Sequence, residues 1–159
     1  MKESKYGKYI CTELKTDIKL PGFKGDQVIR GQTLVNGARL PMEHIIWMDS
    51  SVIPGAFYGE YMWCWPTMQK LTREQAKNSR AVPPHSHPFA EIIGYLGTNT
   101  DDPTDLGGEI EFWLEDEQFY LTKSFVVFIP AGMQHCPLRH LRVDRAMFHF
   151  TMGPGQKYT

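Results

Sequence analysis

Two histidines stand one residue apart in Pro83-Pro84-His85-Ser86-His87-Pro88-Phe89-Ala90-Glu91. On an extended backbone, residues two apart project from the same face, so His85 and His87 can aim both imidazoles at one point. Glu91 shares their parity and follows closely enough to add a carboxylate oxygen. Two neutral nitrogens and one anionic oxygen suit a divalent transition metal far better than calcium or magnesium. A bare His-x-His can equally be a surface pair that binds nothing; a glutamate in step with it favours the metal.

A third histidine follows later. Phe128-Ile129-Pro130-Ala131-Gly132-Met133-Gln134-His135 ends an apolar strand in a Pro/Gly turn. Proline closes the ladder and glycine permits a sharp reversal, so the turn can aim His135 back toward a barrel interior. Two more residues are acid–base candidates. Glu60 lies in an apolar strand, facing solvent or serving as a raised-pKa acid or base inside a cavity. His149 reaches the cavity if the face of residues 147, 149 and 151 points inward. Tyr61, Trp63 and Trp65 share one face of their strand, giving an aromatic pocket lining or plain core; Met147 lies near the same cavity. His44 and His140 carry no supporting pattern and read as structural.

The elements that must position these groups are short. Fourteen glycines and eleven prolines cut the 159 residues into pieces too brief for long helices. Between them the pattern is period two, as in Glu13 to Leu20, the mark of a half-buried strand. Asn36-Gly37 between two apolar runs predicts a hairpin. Further strands are expected at His44 to Met48, Phe57 to Trp65, Ala90 to Leu96, Glu109 to Leu114, Gln118 to Leu121, Ser124 to Ile129 and Arg145 to Met152. Thr72 and Gln75 match a capping box, so a short helical turn is expected over 72–78. The polar run from Gly97 to Gly108 reads as a solvated loop near the barrel mouth, its aspartates matching no EF-hand spacing. Many short strands indicate an all-β sandwich or barrel, here a barrel over 26–159 with an N-terminal extension over 1–25.

Composition narrows the function classes. Hydrophobic residues make up 42% and charged residues 22%, which excludes a disordered chain. Seventeen basic against eighteen acidic residues leave a formal charge of -1, with no electrostatic footprint for nucleic acid or an anionic membrane. The densest apolar stretch, Phe125 to Ile129, is far shorter than a membrane span, and no apolar run follows the charged N-terminus as in a secretory signal. Three cysteines without a CxxC, namely Cys11, Cys64 and Cys136, read as reduced thiols of a cytoplasmic protein.

The two histidine segments together resemble the signature motifs of the cupin superfamily. His-x-His-x-x-x-Glu is carried by His85, His87 and Glu91, and Pro-x-Gly-x-x-His by Pro130, Gly132 and His135. The resemblance spans Val82 to His140, with looser agreement in strand pattern from Asp26 to Met152. Thr98, Ser124 and Arg139 depart from the family at turn and packing positions. The resemblance implies a double-stranded β-helix (jelly-roll) barrel, usually a dimer or higher oligomer. It also implies one mononuclear metal ion (Mn, Fe, Zn or Ni) held by His85, His87, Glu91 and His135. Such a centre points to an enzyme acting on a small oxygen-rich substrate, an enolisable carbonyl or a phenol. The chemistry would be redox-neutral, of hydrolase, isomerase, lyase or cyclase type. An Fe(II)-dependent dioxygenase and a non-catalytic ligand-binding cupin are the alternatives. Cys136 beside His135, with Met133 and Met147 nearby, favours the redox-neutral reading, because sulfur beside an oxygen-activating iron is readily oxidised.

Overall fold

Alternating apolar residues can leave water only by pairing into sheets whose apolar faces meet, and the computed structural model shows this arrangement. It describes residues 5–15, 18, 27–29, 32–35, 38–67, 70–79 and 81–155, and over 27–40 the backbone alone. The strands are β1 (Gln27–Ile29), β2 (Gln32–Val35), β3 (Ala38–Met48), β4 (Tyr58–Cys64), β5 (Glu91–Gly97), β6 (Asp105–Leu114), β7 (Glu117–Lys123), β8 (Phe125–Ile129), β9 (His135–Val143) and β10 (Met147–Gly153), with one short helix, α1 (Arg73–Ala76), after β4. Among the described residues they form two antiparallel sheets, ordered β1-β2-β3-β4-β10-β5-β8 and β7-β6-β9. This is the expected all-β jelly roll. No helix among these residues is long and apolar enough to cross a membrane.

The core lies between the sheets. Ile93, Tyr95, Ile129 and Met147 from the larger sheet meet Leu106, Ile110, Phe112 and Val143 from the smaller. The outer face of the small sheet carries its own polar layer. Buried Glu111 accepts hydrogen bonds from Trp113, Gln118 and Arg139, and Arg73 pairs with Glu109 while lying over the Tyr120 ring. Thr72 and Gln75 form the expected reciprocal capping box. The expected hairpin is present as β2 and β3, paired Val35 to Ala38; its turn, Asn36-Gly37, lies outside the described residues. In the loop after β5, Asn99 and Asp102 accept backbone N–H groups of Asp101 and Thr104, local turns in an exposed segment.

Two expectations are corrected. Glu13, Leu14, Lys15 and Ile18 form no strand; the rest of that run, with the 25/26 boundary, lies outside the described residues except Ile18. Leu14 and Ile18 instead pack on Trp47 and Tyr58, and Lys15 pairs with Asp49 just past β3, so the period-two pattern serves docking rather than a ladder. Strand β9 was not expected at all. Its Pro137, Arg139 and Arg142 mask the apolar positions, while Leu141 and Val143 are buried.

Strand β5 ends where the chain crosses to the second sheet, and there the backbones nearly touch. A Cβ on Gly97 would meet the Asp105 carbonyl oxygen at 2.0 Å. The junction is pinned by Ser124, whose hydroxyl accepts from the Gly97 N–H at 2.9 Å and donates to the Pro103 carbonyl at 2.9 Å. Gly97→Ala therefore forces the two backbones apart. It should cost about 2 kcal/mol, lowering Tm by roughly 4–8 °C in a domain of this size; thermal unfolding followed by circular dichroism reads the shift.

Candidate metal centre

The segments bearing His85 and His135 are locked together by the backbone. His85 N–H donates to the His135 carbonyl at 3.1 Å and His135 N–H to the His85 carbonyl at 2.9 Å. The turn before His135 closes with Met133 N–H on the Pro130 carbonyl at 3.1 Å, and Gly132 N–H reaches back to the His87 carbonyl at 2.8 Å. Gly132 holds φ +81°, the third-residue conformation of a type II turn that glycine adopts without strain. Glu91 opens β5 opposite Ile129 of β8, so the strand that carries the carboxylate also carries the core.

The side chains converge. His85, His87 and His135 each bring a candidate ligand atom within 4.8 Å of the others. Glu91 Oε2 lies 3.1 Å from His135 Nε2, and Oε1 lies 3.8 Å from His87 Nε2. The backbone selects the tautomers. His85 Nδ1–H donates to the Pro83 carbonyl at 2.8 Å and His135 Nδ1–H to the Met133 carbonyl at 3.2 Å, which leaves both Nε2 lone pairs for a ligand. Burial, with the neighbouring imidazoles, holds His85 below the ordinary histidine range, in the neutral form a metal requires. The His87 ring stacks on Phe89.

The residues fit a cation. His87, Glu91 and His135 are 5%, 1% and 1% exposed. Neither Glu91 oxygen and not His135 Nε2 has a hydrogen-bond partner among the described residues. An uncompensated buried carboxylate costs several kcal/mol, and such orphaned groups call for an ion. A divalent ion between the imidazoles and Glu91 supplies the missing positive charge.

A second polar cluster faces the same interior from the large sheet. Glu60 Oε1 pairs closely with His44 Nε2, and the Tyr58 hydroxyl donates to Glu60 Oε2 at 2.8 Å. Burial alone would raise the Glu60 carboxyl. The His44 hydrogen bond and charge, with His149 and Tyr58, outweigh it and hold the group below the usual carboxylate range. The expected choice between a solvent-facing and a raised-pKa glutamate is thus corrected: Glu60 is enclosed and ionised. His44, read as merely structural, is its partner; a histidine in a strand with no motif around it gave no signal of this. His149 does face inward. Its Nδ1–H donates to the Gly94 carbonyl at 3.0 Å, its Nε2 accepts from the Thr151 hydroxyl at 3.3 Å, and it stacks on Tyr95.

The aromatic lining is also corrected. In β4 the buried face is Tyr58, Met62 and Cys64, with Glu60 among them. Tyr61, Trp63 and Trp65 point the other way, onto the outer surface beside Phe148. Met147 faces inward and is fully enclosed by the core.

No protein-family model and no curated protein matches the chain. Among solved structures it is similar to a predicted oxalate decarboxylase from Thermotoga maritima, with 13% identity over 87% of this chain and 90% of that one, TM-score 0.47. It is similar also to KdgF from a Halomonas species, at 14% identity over 74% and 82%, TM-score 0.42. A third is an RmlC-like cupin from Shewanella frigidimarina, at 10% identity over 83% and 84%, TM-score 0.41.

Burial pushes His149 down from 6.5 to about 4. Above about pH 6.5 both folded and unfolded chains hold it neutral. Between 6.5 and 4 the unfolded chain binds a proton that the folded chain refuses, so stability falls as pH drops. From pH 7.5 to 4.5 this group should remove roughly 2–3 kcal/mol. Urea unfolding at the two pH values should show that loss in the parent protein and a loss smaller by that amount in His149→Phe.

Proposed function

We propose that the chain is a metal-dependent cupin enzyme whose centre is His85, His87, Glu91 and His135. The observation that carries this reading is Glu91: a buried carboxylate facing imidazole nitrogens with no hydrogen bond to satisfy it. Four protein ligands leave open positions on a six-coordinate ion, the feature of a catalytic rather than structural centre. A divalent transition metal bound there supplies Lewis acidity toward adjacent oxygens of a small enolisable carbonyl or phenolic substrate.

The chain's own groups then handle the proton. Glu60, ionised and oriented by His44 and Tyr58, accepts it as general base. His149, with Nδ1–H committed to Gly94, stays neutral and presents Nε2 beside Thr151. These residues share an inner face with Glu91 because β10 lies between β4 and β5, with Thr151 opposite both Glu60 and Ile93. The redox-neutral reading rests on sulfur standing beside the centre; Cys136 itself, buried directly after His135 with its thiol pushed up to about 12 and kept protonated, is shielded from oxidation and adds nothing to it. The reading takes the protein as a cytoplasmic homodimer with free cysteines, a barrel over 26–159 and an extension over 1–25 docked through Leu14 and Ile18.

Elemental analysis of protein purified without oxygen tests the centre. About one divalent transition metal per chain is expected, and at least a roughly tenfold loss of metal affinity in His135→Ala and Glu91→Gln, with the circular dichroism of the barrel intact. Full metal content in both variants refutes the ligand set. Turnover of enolisable carbonyl compounds should proceed without oxygen and fall about 100-fold in Glu60→Gln. Oxygen consumption with Fe(II) would instead identify the dioxygenase, and ligand binding without turnover the non-catalytic cupin.

A further inference from the structure

The hydrogen bonds around Thr151, on the inner face of the large sheet, all run one way. A carbonyl only accepts, so the 3.0 Å contact between His149 and the Gly94 carbonyl places the ring proton on Nδ1. Burial holds the ring neutral near neutral pH, and Nε2 is then a bare lone pair. The Thr151 hydroxyl, 3.3 Å away, must donate to it. Its one proton is spent, and Oγ1 meets its surroundings as an acceptor alone. Donating into an imidazole also makes that oxygen the better acceptor.

Glu60 stands directly opposite Thr151, β4 against β10, and is an acceptor by its charge. The donors beside it are already used, His44 Nε2–H on Oε1 and the Tyr58 hydroxyl on Oε2. Two acceptors thus face each other across the strands, and neither has a proton to offer a ligand. Neither is sealed in the core: the Glu60 side chain keeps 12% of its surface exposed and Thr151 keeps 7%, against 0% for Met147 further along β10. Glu91 lies two residues before Ile93, the residue paired with Thr151 on β5. That makes it a diagonal neighbour of Thr151, about 7–8 Å away. A small ligand can therefore hold the metal centre at one end and meet Thr151 at the other.

We propose that Thr151 is a specificity-determining residue that accepts a hydroxyl proton from the substrate, and that the substrate class is a hydroxy-substituted carbonyl compound. Such a compound carries adjacent oxygens for the metal and a free hydroxyl a short carbon chain away. The proposal rests on the metal-dependent reading above and narrows its substrate. A hydroxyl supplies the proton that the Glu60–Thr151 pair lacks. An ether or carbonyl oxygen in its place sets a third acceptor against two, and a methyl group leaves Oγ1 desolvated without a donor. Glu60, with both oxygens already held, stays directed at the acidic C–H. Sites built to bond a hydroxyl discriminate sharply against analogues that lack it.

Isothermal titration calorimetry of the full chain loaded with Mn(II) tests it, using 2-oxo acids, whose adjacent oxygens suit the ion. Hydroxypyruvate is compared with pyruvate, and 4-hydroxy-2-oxobutanoate with 2-oxobutanoate and with the 4-methoxy ether. At one chain length or both, the hydroxyl form should bind at least roughly tenfold more tightly than its analogues. Thr151→Val should abolish that preference and Thr151→Ser should keep it, both with the circular dichroism and metal content of the parent. A parent that binds the deoxy and methoxy forms equally well, or binds none of the probes, overturns the proposal. So does a preference that survives Thr151→Val, which would assign the hydroxyl to Glu60. Binding is read without turnover, so a hydroxyl preference in a protein that turns nothing over upholds the role of Thr151 and identifies the non-catalytic cupin. Equal binding and equal turnover of hydroxy and deoxy compounds does the reverse, and a chain that takes up no metal fails both readings.

Discussion

A carboxylate taken out of water without hydrogen bonds is among the costliest groups a protein interior can hold, and Glu91 is placed there deliberately. It begins β5, the strand whose next inward residues, Ile93 and Tyr95, are part of the core, so it cannot swing out to solvent without disturbing the sheet. His135 is equally fixed: its backbone is bonded in both directions to His85, and the Pro130–Met133 turn sets its approach. The Nδ1 atoms of His85 and His135 are committed to backbone carbonyls. Every freedom by which these groups might relieve the buried charge themselves has been removed. A cation held between the imidazoles and Glu91 would restore the balance.

The same logic explains why the large sheet runs against ordinary patterning. Its inner face carries Glu60, His44, His149 and Thr151, while its outer face carries tryptophan, tyrosine and phenylalanine. Polar groups are tolerated inside because they satisfy one another. Glu60 takes bonds from His44 and Tyr58, and His149 is fixed at both nitrogens. The apolar work is done at the other end of the interior, where Leu106, Ile110 and Phe112 of the small sheet meet Tyr95 and Met147. The outer aromatics pack on one another instead, Tyr61 and Trp63 against Phe148 and Trp63 against Trp65.

How much of this was legible in the sequence follows from the range of the interactions involved. His85, His87 and Glu91 could be read because strand parity is local, and the turn at Gly132 because its residue types demand it. The capping box at Thr72 and the β2–β3 hairpin are equally local. The facing of β4 was not legible. Alternation separates Tyr61, Trp63 and Trp65 from Tyr58, Glu60, Met62 and Cys64 but does not say which set is inside, and hydrophobicity alone chooses the wrong one. The decision lies with His44 on β3 and His149 on β10, whose pairing with Glu60 and neighbourhood to it are set by register across strands far apart in sequence. Strand β9 was hidden for a related reason. Arg139 reads as a solvent group, yet it reaches Glu111 on the adjoining strand at 3.2 Å, a compensation visible only once β6 and β9 are side by side.

Taken together, the ionisable groups of the interior define what kind of ligand it can accept. Burial pushes the thiol of Cys136 up to about 12 and that of Cys64 further, both into the neutral form. It drives His149 down to about 4 and His140 to about 3, so these too are uncharged near neutral pH. Tyr95, between the two imidazoles, is raised well above the usual phenol range. Two carboxylates remain. Glu60 is stabilised by hydrogen bonds from its own strand and from β3, whereas Glu91 receives none. An interior that holds its thiols, its phenol and two imidazoles uncharged, and pairs Glu60, yet leaves Glu91 without a hydrogen bond beside three imidazoles, offers a cation one carboxylate with nitrogen donors around it. That donor set suits a divalent transition metal ion rather than an anion arriving alone.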